Sequence, residues 1–128
     1  MGDLSIKDLV GRKVISATIN NEKDYLCLDT DKGMLYLSWH GDCCSSSFIA
    51  HFSGAKNLID ATVLSAENTE WDDGVEIKTM GTKIKTDKGY IDIETRNESN
   101  GYYGGWIYIS EEEAGYVPQI KMKPLKDF

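Results

Sequence analysis

Two segments of this chain carry side chains that could do chemistry. The first is His40-Gly41-Asp42-Cys43-Cys44. An imidazole close to a thiol suggests a zinc site or a cysteine nucleophile. Zinc needs four ligands in tetrahedral reach. His40, His51 and one of Cys43 and Cys44 could supply some of them, but C-x-x-C pairs are absent. A nucleophile needs a thiolate, an imidazole within hydrogen-bond reach and an oxyanion hole. Asp42 would raise the thiol pKa, whereas a helix N-terminus would lower it. The plainer reading is that the pair opens a helix and one cysteine packs as a small core residue. We therefore expect no metal, no cofactor and no catalytic residue.

The second segment is Asn100-Gly101-Tyr102-Tyr103-Gly104-Gly105-Trp106, with Arg96 just before it. Glycines let a backbone approach a ligand closely. Aromatic rings offer faces on which a base can stack. Arg96 could pair with a phosphate or carboxylate. No Gly-Lys-Ser/Thr follows, so this is not a Walker A loop, nor is it a dinucleotide fingerprint. The structural alternative is that the glycines serve turns and the rings cover a sheet. The expected ligand-binding set is Trp39, His40, Asp42, Arg96, Asn100, Tyr102, Tyr103 and Trp106.

The elements that must position these residues come from an internal repeat. Asp8-Leu9-Val10-Gly11 to Thr18 reads against Asn57-Leu58-Ile59-Asp60 to Glu67, an offset of 49 (58 − 9). Thr30-Asp31-Lys32-Gly33 recurs as Thr86-Asp87-Lys88-Gly89, an offset of 56 (87 − 31). The second copy thus carries about seven extra residues before its hairpin, read as a hairpin extension or a longer loop. By the same offset Arg96 answers His40 and Glu98 answers Asp42. These residues are expected at equivalent sheet ends, where they would flank one groove or extend an assembly surface.

Ser5 and Asp8 have capping-box spacing, which predicts a short helical start over Ser5 to Val10. Strands are predicted at 13–20, 25–30, 34–39, 62–67, 75–79, 82–86, 90–95 and 106–110. Phe48, Ile49 and Phe52 fall at helical spacing, so a helix is expected from Cys43 to Phe52, closed by Gly54. Residues 117–128 read as an irregular tail with Lys121, Lys123 and Lys126, its end partly disordered. The fold class is mainly β (α+β). It is one domain over 1–128: an antiparallel sheet or sandwich of two diverged strand-hairpin repeats, 8–40 and 57–110, with one or two short helices.

The chain has 128 residues and a net charge of −7. Affinity for DNA, RNA or anionic membrane needs clustered cationic charge, so none of these is an expected partner. A small anionic ligand needs only a few local donors. Three cysteines, no signal-peptide pattern and no apolar stretch of spanning length point to a reducing cytoplasm.

His40-x-Asp42-Cys43-Cys44, Asn57-Leu58-Ile59 leading into Val63-Leu64-Ser65-Ala66-Glu67, and Ser99-Asn100-Gly101-Tyr102-Tyr103-Gly104-Gly105 resemble a family of small phage and bacterial proteins of unknown function. The resemblance spans about Leu9 to Ile109. It implies a phage or prophage setting and a host bacterial cytoplasm, and brings no catalytic residues. By analogy with small acidic phage proteins, we expect a non-enzymatic antagonist of host defence that sequesters a nucleotide-like immune signal. Alternatives are a protein–protein inhibitor of a host effector, a cysteine-dependent enzyme and a structural role in assembly. A homo-oligomer is expected.

Overall fold

Runs of β-branched, aromatic and leucine residues broken by Thr-Asp-Lys-Gly turns leave the chain few alternatives to antiparallel hairpins. The computed structural model describes residues 4–40, 47–72, 77–97, 106–112 and 121–128. Its elements are a 3-10 turn Ile6–Leu9, β1 Lys13–Asn20, β2 Tyr25–Thr30, β3 Gly33–His40, β4 Ser47–Ser53, α1 Ala55–Leu58, β5 Ala61–Asp72, β6 Ile77–Thr86, β7 Gly89–Asn97, β8 Trp106–Ser110 and β9 Met122–Pro124. The predicted capping box is present: Ser5 caps Lys7 and the Asp8 carboxylate accepts the Ser5 backbone N–H at 2.7 Å.

The strands form one antiparallel sheet in the order β4-β7-β6-β5-β1-β2-β3-β8, with β9 pairing β1. That order is a palindrome of two repeats. β1–β2–β3 mirrors β5–β6–β7 about the β1/β5 junction, and each fourth strand crosses to the other repeat. Strand β4 pairs with β7, and β8 pairs with β3. The symmetry reaches single bonds. The Asp31 N–H donates to the Lys13 carbonyl at 3.0 Å, and the Asp87 N–H to Thr62 at 3.1 Å. Each aspartate carboxylate in turn accepts the backbone N–H of that same residue, at 2.9 and 3.0 Å. At the junction Gly11 donates to the Val63 carbonyl and Asp60 to Val14. Bulges interrupt β1 between Val14 and Ser16 and β5 between Val63 and Ser65, at matching positions.

One core serves both repeats. Leu26, Leu28, Leu35 and Leu37 from the first repeat pack in the same cluster as Ile84, Ile91 and Ile93 from the second, together with Phe52 of the crossing strand β4. The predicted equivalence of Leu35 and Leu37 with Ile91 and Ile93 holds, all four being buried.

Three expectations are corrected. The described part of the segment read as a helix, residues 47–52, is β4. Its register slips between Ile49 and His51, so a bulge puts both Ile49 and Phe52 in the core and gives a helix-like spacing to a strand. The two strands expected at 75–79 and 82–86 are a single β6, bulged opposite Thr69 and Glu70; together with the longer β5 it makes the extra residues a hairpin extension. The tail is not irregular where it is described. β9 pairs with Thr18–Asn20, Leu125 is buried, and Phe128 exchanges two backbone hydrogen bonds with Phe52 of β4.

Candidate functional site

The ends of β3, β4, β7 and β8 meet at one pole of the sheet. His40 pairs with Trp106, and Asn97 with Ser47. The repeated Thr-Asp-Lys-Gly turns lie at the opposite pole. The chain between 40 and 47 and between 97 and 106 therefore starts and finishes where the two repeats differ most.

The structure divides the expected residues. Trp39 is buried, and its indole N–H donates to Thr95 Oγ1 at 2.9 Å. Thr95 is the residue that answers Trp39 at the 56-residue offset, so the pseudo-twofold mates touch across the core. Since Trp39 and Thr95 point inward, strand alternation turns His40 and Arg96 outward on opposite halves. Arg96 lines the groove described next, and His40 is not among the residues that line it. His40 is exposed, set edge-on to Tyr108 with ring centroids 6.5 Å apart. Trp106 is partly exposed beside it. Asp42, Asn100, Tyr102 and Tyr103 lie outside the described residues, as do Cys43 and Cys44.

Arg96 opens onto a groove of about 570 Å³, lined by Lys23, Phe48, Ile49, Ala50, His51, Arg96, Asn97 and Phe128. Lys23 arrives there because buried Asn20 organises the β1–β2 turn. Asn20 Oδ1 accepts the N–H groups of Asp24 and Tyr25, both at 3.0 Å, while its amide donates to Asp24 Oδ1 at 2.6 Å. Lys23 takes a positive φ of 61°, uncommon for a residue with a Cβ. Its carbonyl accepts the Ile49 N–H at 2.7 Å, tying the turn to β4. Its ammonium sits 4.8 Å from the centre of the Phe128 ring, close enough for a cation–π attraction.

The bulge in β4 sets His51 opposite Glu94. Glu94 accepts from Arg96 Nε at 3.2 Å and Nη2 at 2.9 Å, and lies 3.5 Å from His51 Nε2. The groove thus gathers a lysine, an arginine and an imidazole beside the phenylalanines Phe48 and Phe128, and the Glu94 carboxylate contacts two of them, Arg96 and His51. The sequence reading found Arg96, weighed His51 only for zinc, and missed Lys23, Phe48, Glu94 and Phe128. The repeat would not have found His51: at the 56-residue offset it answers Ile107, which packs on the core, and the bulge in β4 is what sets it opposite Glu94 instead.

The model of a domain of unknown function, DUF7448, matches residues 7–109. The chain belongs to the DUF7448 family. Both repeats and both exchanged strands, β4 and β8, fall within the DUF7448 match but for Ser110 at the end of β8, while β9 and the rest of the tail follow it. A viral relative is "Uncharacterized protein L278" of Acanthamoeba polyphaga mimivirus, 30% identical over 116 residues that cover 83% of this chain and 90% of that protein. No solved structure matches.

Proposed function

We propose that this protein is a non-enzymatic binding protein that sequesters a small nucleotide-like signal and so antagonises a host antiviral defence. The observation that carries the reading is the groove: Lys23, His51 and Arg96 beside Phe48 and Phe128. The cations Lys23 and Arg96, with an imidazole N–H beside them, suit phosphate, and rings suit a base. The likeness to a mimivirus protein supports a viral setting, and the phage setting rests on the resemblance of the sequence segments.

The test is native mass spectrometry of the purified protein after incubation with lysate from cells whose nucleotide-signalling defence is active. The expected result is a retained small mass, released intact by heat and absent from Arg96→Ala. A chemically altered small molecule would mean an enzyme instead.

A second reading is inhibition of a host defence protein. Tyr108 is 56% exposed and stands with His40 and Trp106 on the outer face of β3–β8. Tyrosine and tryptophan are enriched at protein interfaces. A host protein retained in place of a small mass, and lost in Tyr108→Ala, would favour it.

A further inference from the structure

Arg96 of the groove is already engaged by a neighbouring carboxylate. We propose that Glu94 is an internal stand-in for the ligand's phosphate and sets the groove's selectivity for phosphorylated over carboxylate ligands; this rests on the binding role proposed above. Glu94 occupies the Arg96 fork through Nε and Nη2 and faces His51 from the other side. Arg96 and Glu94 are two residues apart on β7, so they share one strand face whether or not a ligand is present. Both side chains are nearly half exposed, and an ion pair in that setting is held weakly.

An incoming carboxylate exchanges like for like. It takes Arg96 from Glu94, leaves Glu94 unpaired beside it, and gains nothing net. A phosphate monoester carries close to two negative charges and three acceptor oxygens. It can engage Arg96 while drawing on Lys23 and His51 at the same time, which Glu94, tethered to β7, reaches only in part. The carboxylate therefore filters weak anions and yields to a phosphate. The Glu94 side chain is nearly half exposed, and glutamine keeps its size, so Glu94→Gln is expected to leave the fold intact.

Binding of ATP, adenosine and succinate to the wild-type protein, Glu94→Gln and Arg96→Ala, read by calorimetry, tests this. Wild type is expected to bind ATP well above succinate and adenosine. Glu94→Gln should bind ATP about fivefold more tightly and succinate more tightly still, narrowing the ratio, with an unchanged melting temperature. Arg96→Ala should lose most ATP binding. An unchanged ATP-to-succinate ratio in Glu94→Gln overturns the role of Glu94 while leaving the groove intact. A rise shared equally by adenosine also overturns it, because the gain would not come from the phosphate. If neither wild type nor Glu94→Gln binds ATP, the phosphate groove itself is wrong and this inference goes with it.

Discussion

Single residues here are fixed by backbone geometry more than by side-chain chemistry. Gly54 has φ of 93°, and a Cβ there would run into the Tyr90 carbonyl of β7. Gly54→Ala is expected to cost about 3 kcal/mol, seen as a shift in the urea midpoint. Lys23 is the opposite case. Its positive φ carries a cost that glycine would relieve, while glycine adds unfolded-state entropy of similar size. Lys23→Gly should therefore leave the melting temperature nearly unchanged and weaken binding of a phosphorylated probe; a large loss of stability would show that its contact with Phe128 matters more than its charge. Neither backbone state was legible in advance. The Asn20-to-Asp24 network that forces it depends on Asn20 being buried, and burial is a tertiary fact.

At the scale of elements, the tail acts as a strap across the β1, α1 and β4 region. Asp127 accepts the Ala55 N–H at 2.7 Å and the Gly54 N–H at 3.1 Å. Those two backbone donors, Ala55 first, and the nearby Lys56 hold its carboxyl below the usual range against a small opposing effect of burial. A lowered carboxyl pKa stabilises the fold above the unfolded value of about 4, and the benefit fades as pH falls through the lower folded value. Asp127→Asn should thus be less stable than wild type at pH 7, with the gap closing below about pH 4; thermal melts across pH 2.5–7, at roughly half-unit steps, would check it. Hairpins, both repeated turns and the capping box were readable because each depends on residues adjacent in sequence. The β4 strand was not, since one inserted residue at its bulge turned a period of two into an apparent helical spacing. The strap was not either: its lysines and prolines suggest solvent, and only the burial of Leu125 reveals the docking.

For the molecule as a whole, the Trp39–Thr95 bond joins the two repeats across the core. Trp39→Phe removes the indole donor and leaves the buried Thr95 hydroxyl without that partner, an expected loss of about 1–3 kcal/mol beyond the change in packing. Thr95→Val removes the other side, and the double mutant should recover part of the combined loss. Additive effects in that cycle would show that the bond contributes little. The repeat itself was legible from eleven-residue and four-residue echoes, and it predicted the matched hairpins. The exchange of fourth strands was not legible, because β4 and β8 would satisfy their hydrogen bonds equally well beside their own repeat.

That exchange has a consequence for how the chain comes to be folded. β3 gains its outer neighbour only when β8 has been made, and β4 finds its partner only in β7. A nascent first repeat leaving the ribosome therefore has a bare strand edge and half a core, and it must wait for the second. Pairings this distant in sequence close slowly, and bare edges held open during the delay invite pairing with neighbouring chains. The interleaving that ties the native state together thus makes synthesis its most exposed moment, and dependence on a holding chaperone should be greatest before β8 is translated.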